Sequence, residues 1–309
     1  MEFQVRPVRI QFEAHDDLSL SPEKEINAFR GAFGLSLREV CCGSACPGAR
    51  SCPRAAQCAY ASMFEPRWNG GPSGYHDAPR PFVLRSCGPL ALRLHLFDTG
   101  AAPLEPLEKA FRAIAHAGIG PGRAKAALRA FEPQPIRRLP LRGTPAEGRL
   151  VVRFVTPTEL KGRGAVRLEP AFPLLMERLV ERVWILGRFY QHWPAWDRDI
   201  LLREAARVQL VNWQWRYEHR QRRSSRTGQT HPLGGFMGTA TYEGPLGIFV
   251  PLLEIGRWTG VGRQTVWGKG EIQVEPPQPY LFSRESAGQR SSQSPVLATV
   301  RPAPDAASG

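Results

Sequence analysis

The order of secondary structure elements predicted for this chain is the same in its two halves, which restricts the fold more than any single motif does. In the first half, alternating apolar residues predict a strand over residues 2–14, and apolar residues at helical spacing predict a helix over Pro22–Val40. The further elements of this half are two strands, a helix and an extended segment that follows a basic glycine turn: Phe82–Ser86, Leu90–Asp98, Leu104–Ala117 and the residues after Gly118–Lys125.

The second half repeats this order of strand, helix, two strands, helix and strand. Its predicted elements are, along the chain, Arg149–Thr156, Ala171–Tyr190, Val208–Tyr217, Gly235–Tyr242, Leu246–Ile255 and Glu271–Glu275. Two βαββαβ units in series predict an α+β protein of two tandem ferredoxin-like, RRM-like domains. We expect these domains at residues 1–135 and 149–280, with a linker at 136–148. The remaining residues, 281–309, are rich in Ser, Gln, Pro and Ala and are predicted to be disordered.

A glycine-rich segment, GRWTGVGRQTVWGKG, precedes the last predicted strand and spans Gly256–Gly270. Glycine lets a backbone approach a phosphate closely, and the interleaved Arg257, Arg263 and Lys269 supply positive charge. The segment matches neither GxxxxGK[ST] nor a GxGxxG that opens a helix, so it does not indicate a nucleotide cofactor. It predicts an RNA-binding loop, with a purely geometric hairpin as the alternative. The candidate RNA-binding residues of this loop are Gly256, Gly260, Gly262, Arg263, Gln264, Gly268, Lys269 and Gly270.

The charge of the chain favours a polyanionic partner. Its net charge is +13, and lysine contributes only Lys24, Lys109, Lys125, Lys161 and Lys269 to the 41 basic residues. Arginine pairs with phosphate through two hydrogen bonds and stacks on bases, which suits RNA. Five arginines cluster between the second and third strands of the second half, beside Trp213, Trp215 and Tyr217: Arg216, Arg220, Arg222, Arg223 and Arg226. This arginine strip predicts RNA binding, and a solvated basic hairpin is the alternative.

The cysteines concentrate in a predicted insertion at residues 41–66. The chain has no apolar run of 18 residues and no signal-peptide pattern at its N-terminus, so we expect a soluble cytoplasmic protein without a membrane partner. Disulfides are not expected in that compartment. Cys42, Cys46, Cys52 and Cys58 lie in turn-prone sequence and predict a structural zinc site, with buried cysteine packing as the alternative.

The C-terminal segment RRSSRTGQTHPLGGFMGTATYEGPLGIFVPLLEIGRWTGVGRQTVWGKGEIQV resembles the C-terminal half of CRISPR precursor-RNA processing endoribonucleases of the RAMP superfamily. In that family a GGF(M/L/V)G strand, a PLL helix and a G-rich loop ending in GxG follow one another. The first half is similar too: AFRGAFGLSLREVCC resembles the first helix of the family, and the cysteines ending in CAYASMFEP resemble a cysteine-bearing branch. The similarity extends over most of residues 1–275.

The resemblance implies an endoribonuclease that binds CRISPR repeat RNA, cleaves it without a metal and keeps the mature crRNA. The reaction would be attack of a ribose 2′-hydroxyl on the adjacent phosphate, with no cofactor in catalysis. It implies repeat RNA or crRNA as the partner, together with other CRISPR effector subunits. The alternative is a non-catalytic RAMP subunit that binds guide RNA within an effector complex.

Cleavage by a 2′-hydroxyl needs a base, an acid and a cation near the phosphate. His15 is the first candidate, because the family often places a histidine near its first helix and His15 lies between the first strand and that helix. His219 and His231 bracket the arginine strip and are further candidates. An arginine-based alternative combines Arg30 and Arg38 on the first helix with Arg223, Arg226 and Arg263, which could orient the 2′-hydroxyl and stabilise the charge on phosphorus. For His95 and His116, packing is the expected role.

Overall fold

The first βαββαβ unit is built on β1 (Glu2–Ala14), a long strand in which apolar and polar residues alternate over much of its length. The elements that follow are α1 (Pro22–Cys42), α2 (Ala59–Phe64), β2 (Phe82–Gly88), β3 (Ala91–Leu96), α3 (Leu104–Ala117), β4 (Ala126–Pro133) and β5 (Arg137–Pro140). The main strands pair in the order β2-β3-β1-β4, and every pairing is antiparallel. This is the order of a ferredoxin-like unit.

The second unit has the same topology. Its elements are β6 (Gly148–Thr158), β7 (Leu160–Gly162), β8 (Ala165–Arg167), α4 (Phe172–Tyr190), α5 (Asp199–Ala205), β9 (Gln209–Glu218), β10 (Gln221–Arg223), β11 (Thr230–Pro232), β12 (Gly235–Gly244), α6 (Val250–Thr259) and β13 (Ile272–Val274). Its sheet has the antiparallel order β13-β6-β12-β9, which is again ferredoxin-like. The predicted fold class is therefore confirmed.

This computed structural model describes residues 1–15, 22–43, 45–67, 78–120, 122–193, 198–223 and 230–275. These residues fall within one compact unit, Met1–Pro279. The predicted disordered tail, 281–309, lies outside them. Among the helices of the described residues, none combines the length and the apolar character needed to cross a membrane.

The helices of the first domain cover one face of its sheet. In α3, Leu107, Phe111 and Ile114 recur at helical spacing and are buried. Phe111 stacks on Phe33 of α1 with a centroid distance of 4.6 Å. Because aromatic side chains bury large apolar areas, this pair anchors both helices on the sheet.

The opposite face of the first sheet is also covered, but by the second domain. Strand β2 begins Phe82-Val83-Leu84, and all three side chains are fully buried. Leu84 packs in the core under α1 and α3, whereas Val83 joins Phe3 and other residues in a core shared with the second domain. A strand that is buried on both faces has consecutive apolar residues, as the first three residues of β2 do.

Residues 136–148 are not entirely the linker that the sequence predicts. Arg137–Pro140 form β5, which pairs antiparallel with Glu2–Val5 of β1. Strand β4 pairs only with the C-terminal part of β1, from Val8 onward. The N-terminal part of β1 thus offers free backbone groups on that edge, and β5 satisfies them.

The last helix ends four residues later than the sequence predicts. Helix α6 continues to Thr259, so Gly256 and Arg257 are helical and do not belong to the glycine loop. A Cβ on Gly256 would lie 2.9 Å from Ile272 Cδ1 and 3.1 Å from Leu179 Cδ1. A small residue is therefore needed where this helix packs on β13 and α4, which explains a glycine within a helix.

Candidate functional site

The glycine-rich loop of the structure consists of residues 260–270 and joins α6 to β13. Its ends are bonded to each other, since the Val261 N–H donates to the Gly270 carbonyl at 2.9 Å. Gly270 has φ 69°, and a Cβ there would lie only 2.0 Å from the Val261 oxygen. Gly270 is thus required for closure of the loop, which supports the geometric interpretation for this position.

Lys269 lies inside the loop and not on its surface. It is 3% exposed, and its ammonium donates to Gly234 O (2.7 Å), Gln264 Oε1 (3.0 Å) and Glu159 Oε2 (3.1 Å). Burial lowers the pKa of Lys269, and Glu159 opposes that shift. These three acceptors use the three donors of an ammonium group, so Lys269 and Gln264, both predicted to bind RNA, brace the loop from within.

Arg263 is the loop cation that reaches the surface in the described structure. Its guanidinium Nη1 donates to Glu159 Oε1 at 2.5 Å, and its side chain is 55% exposed. Burial disfavours the ionised form of Glu159, but Lys269 and Arg263 together lower the pKa of its carboxyl group. Glu159 therefore orients the exposed Arg263. The remaining N–H groups of this guanidinium can donate to a phosphate.

Two arginines of the first domain hold the loop. Arg85 of β2 is buried and donates through Nη1 to the carbonyls of Gly268 (3.0 Å) and Lys269 (3.2 Å). The guanidinium carbon of Arg30 lies 3.4 Å from the ring centroid of Trp267, a cation–π contact. Arg30 is only 8% exposed. It positions the loop, so the structure does not present it to a substrate as a catalytic residue.

Sequence reasoning missed Arg85. The one signal was a charged residue in an otherwise apolar strand, FVLRS. Such a residue requires polar partners when buried, and those partners come from a loop more than 180 positions away in the chain.

A row of rings lies along β9, the edge strand of the second sheet. Trp215 and Tyr217 are 44% and 41% exposed. Trp213 packs on buried Phe154 and Phe236, and its ring is parallel to that of Trp215 (interplanar angle 6°, centroids 6.3 Å apart). Flat exposed rings on a strand edge can stack bases.

Part of the arginine strip accompanies these rings. Arg216, between Trp215 and Tyr217, has a side chain that is 71% exposed and lies 3.9 Å from Glu218. Arg220 also contacts Glu218, at 3.4 Å. Arg222 and Arg223 lie in the β10–β11 hairpin, where Arg222 is opposite His231. Arg226 lies outside the described residues.

Comparison with known proteins identifies this architecture. Residues 152–272 match the family of the CRISPR-associated endoribonuclease Cas6. The matched residues begin in β6 and end at the first residue of β13, within the second domain. Residues 3–140 match a family described as an N-terminal domain (AF_1859_N). No curated protein matches the chain in sequence.

Solved Cas6 structures share the fold of the whole described chain. A Cas6 product complex has a TM-score of 0.54 and 20% identity, covering 88% of this chain and 100% of that chain. The product complex of a Thermus thermophilus Cas6 has a TM-score of 0.52 and 18% identity, covering 89% and 100%. A substrate mimic complex of Cas6 gives 0.50 and 21%, covering 88% and 99%. At these identities the likeness concerns the fold.

The predicted histidines lie at different places. His15 is exposed at the end of β1, where its backbone N–H donates a hydrogen bond to the backbone carbonyl of Lys125 at 2.8 Å. His219 is exposed just after β9 of the second domain, and its ring centroid is 4.6 Å from that of Tyr217. His231 lies in β11. Within the described residues no contact joins His15 to His219.

Two further histidines were expected to pack. His95 does so: its Nδ1 lies 2.9 Å from the Trp258 carbonyl oxygen of the second domain, and burial lowers the pKa of His95 to about 3. His116 is exposed instead, in the last turn of α3. Its neighbour Ala115 is the residue that faces the core. The packing role predicted for His116 is therefore wrong.

The cysteine insertion does not gather four thiols as predicted. Cys42 is hydrogen-bonded to Cys46, whereas Cys58 is hydrogen-bonded to Cys41. Arg38, an arginine candidate for catalysis, donates to the Cys46 carbonyl and so secures this insertion. Across the described ranges, no three His, Cys, Asp or Glu side chains are placed to hold a metal ion. A zinc ion at Cys42, Cys46, Cys52 and Cys58 stays a prediction.

Proposed function

We propose that this protein binds CRISPR repeat RNA and cleaves it to mature crRNA by attack of a ribose 2′-hydroxyl, without a metal ion. The observation that carries the proposal is the match of residues 152–272 to the Cas6 endoribonuclease family. Those residues contain both the glycine loop and the exposed rings of β9.

The surface of the second domain suits single-stranded or stem-loop RNA. Trp215 and Tyr217 expose flat faces for bases, and Arg216 and Arg263 expose guanidinium groups for phosphates. The net charge of +13 adds long-range attraction to a polyanion. Base stacking contributes about 1–3 kcal/mol per base, and phosphate contacts supply the salt-dependent part.

The proton transfers are assigned to histidine. His15 and His219 are both exposed, and histidine can donate or accept a proton near neutral pH. Each proton transfer to or from a positioned group is worth about 10²–10⁴ in rate. Since Arg30 is buried against Trp267 and Arg38 holds the cysteine insertion, we rank the arginine-based alternative below the histidines.

The direct test is cleavage of labelled repeat RNA in excess EDTA. We expect cleavage to persist, to leave a cyclic phosphate and to stop when the nucleotide upstream of the cut carries a 2′-deoxy ribose. Cutting of the deoxy substrate would contradict the mechanism. Tight RNA binding without any cleavage would instead identify the protein as a non-catalytic guide-RNA subunit.

His15→Ala and His219→Ala should be assayed beside His116→Ala, an exposed histidine of the first domain, as the matched control. We expect single-turnover cleavage to fall by about 10²-fold or more in the variant that lacks the true acid or base. Equal rates in all three variants would exclude both His15 and His219 as the acid or base. Gel filtration of the reaction mixture tests whether the product stays bound.

A further inference from the structure

Three basic side chains meet at the C-terminal end of α6, where the two domains join. His95 of β3 lies with Nδ1 2.9 Å from the Trp258 carbonyl oxygen. Arg182 of α4 donates through Nε to the next carbonyl, that of Thr259, at 2.8 Å. The basic groups thus occupy consecutive positions at the negative end of the helix dipole.

Arg85 completes this cluster. A Cβ built on Gly260, the residue after Thr259, would lie 2.6 Å from Arg85 Nη2. Gly260 shares its peptide bond with the carbonyl that Arg182 binds, so the two guanidinium groups approach the same backbone segment. Burial lowers the pKa of both Arg182 and His95, and the positive charge of Arg85 lowers both further, which agrees with this proximity.

The hydrogen bonds of these guanidinium groups are incomplete. Within the described structure, Arg85 Nε, Arg85 Nη2 and Arg182 Nη2 are buried and have no hydrogen-bond partner. A buried donor without an acceptor destabilises the folded state, because it has lost its hydrogen bonds to water. His95 Nε2 is unpaired as well, but it is an acceptor when Nδ1 donates to Trp258. The three unpaired donors therefore belong to the two arginines.

Charge is unbalanced at the same place. Among the described residues, Arg85 has one carboxylate nearby: Glu271 Oε2, which lies 3.9 Å from Arg85 Nη1 on a partly exposed side chain. Arg182 has no acidic partner among these residues. Burial is the main reason that the pKa of Arg182 falls to about 9, and the positive charge of Arg85 is the second reason. A water molecule would satisfy the donors but would leave one guanidinium charge without a counter-charge.

We propose that Arg85 and Arg182 together bind one small monovalent anion of halide size at the domain junction. The unpaired donors would bind the anion, and its charge would balance the second guanidinium group. Arg85 Nη2 packs so closely on Gly260 that a Cβ there would lie 2.6 Å from it, and the buried donors of this enclosed place favour a small ion. Arg85 is 3% exposed, so this site is separate from any surface that meets RNA and does not depend on the proposed function.

Thermal unfolding tests the proposal with chloride and bromide as probes. The melting temperature should rise with chloride or bromide at constant ionic strength, with gluconate as the replacing anion, and the rise should follow a binding curve. Identical melting curves in chloride and gluconate would overturn the proposal.

Variants separate binding from the general effects of salt. Arg182→Met should remove the chloride dependence, because one of the two guanidinium groups is lost. Arg178→Met is the matched control: Arg178 lies one turn earlier in α4 and, unlike Arg182, forms ion pairs with two carboxylates, Glu177 and Glu181. It should keep the wild-type dependence. A dependence that persists in Arg182→Met would contradict the site.

Bromide-soaked crystals of the wild-type protein give a second readout that requires no variant. We expect an anomalous peak between Arg85 Nη2 and Arg182 Nη2. A water molecule at that position would overturn the proposal. A peak without any effect of bromide in solution would mean binding at crystal concentration only, which also contradicts it.

Discussion

The two domains share one strand order but use their sheets differently. In the first domain, α1 and α3 cover one face and the second domain covers the other, so Phe82, Val83 and Leu84 are all buried. In the second domain, β6 exposes Arg149 and Arg153, and the edge strand β9 exposes its rings. A duplicated fold thus has one sheet that serves as an internal surface and one that stays available to a partner.

The largest expected effect tests whether the first sheet is an internal surface. Phe97 follows β3, is fully buried and packs with Phe3 in the core shared by both domains. Phe97→Ala should lower the free energy of unfolding by about 3–5 kcal/mol, because it leaves a cavity between the domains. Urea denaturation measures this. Val211→Ala on exposed β9 is the control and should change stability by about 0.5 kcal/mol or less. Similar losses in both variants would contradict the difference between the sheets.

The basic glycine segments of the two domains provide the second comparison. Gly270→Ala should destabilise the fold by about 3 kcal/mol. Gly270 has a φ of 69°, and a Cβ at this position would lie only 2.0 Å from the Val261 carbonyl oxygen. Gly122, in the glycine turn of the first domain, has no atom within 4 Å of the position that a Cβ would take. Gly122→Ala should therefore be neutral or slightly stabilising in the same denaturation experiment. A neutral Gly270→Ala would show that loop closure does not require glycine.

The third comparison separates rings from charges on β9. Trp215→Ala should weaken RNA binding by about 1–3 kcal/mol and leave the salt dependence of the affinity unchanged, because stacking releases no counterions. Arg216→Ala should weaken binding and reduce the salt slope by about 1. Affinities measured over a series of salt concentrations distinguish the two, and Val211→Ala is again the control. A wild-type affinity in both variants would show that β9 does not bind RNA. It would not affect the proposal of RNA cleavage, which the EDTA assay tests separately.

The smallest effect concerns acid stability at the domain junction. His95 has a folded-state pKa of about 3, below its ordinary value of 6.5, so the unfolded chain binds a proton first as the pH falls. Its contribution to stability is present above pH 6.5 and is lost between pH 6.5 and 3, at up to about 1.4 kcal/mol per pH unit. His95→Gln should flatten this loss in urea denaturation at pH 7 and pH 5.5. His116→Gln, which alters an exposed histidine, should not change it.

The regular elements could be predicted because their signals are local. Helix α3 has the predicted bounds, Leu104–Ala117, and β1 those of the predicted first strand, since apolar periodicity and a following Gly118 are properties of neighbouring residues. Strand β5 and the last turn of α6 were not predicted. Both depend on packing partners that are distant in sequence, β1 in one case and Leu179 with Ile272 in the other.

The candidate site divides in the same way. The sequence pointed to the glycine loop, the arginine strip and the exposed aromatic residues, because composition and spacing are visible in it. Which cations face solvent was decided by the tertiary structure: Lys269 points inward to Glu159, whereas Arg263 stays exposed. The same holds for Arg30, which stacks on Trp267 of the other domain.

By itself, the amino-acid sequence determined two βαββαβ units, a strongly basic chain and a glycine loop, since each of these follows from local pattern or composition. The three-dimensional packing decided that the first sheet is buried on both faces and that Arg85 and Arg182 meet at the end of α6. The physical reason is that burial and charge pairing depend on residues brought together from distant parts of the chain, and no local pattern records those distances.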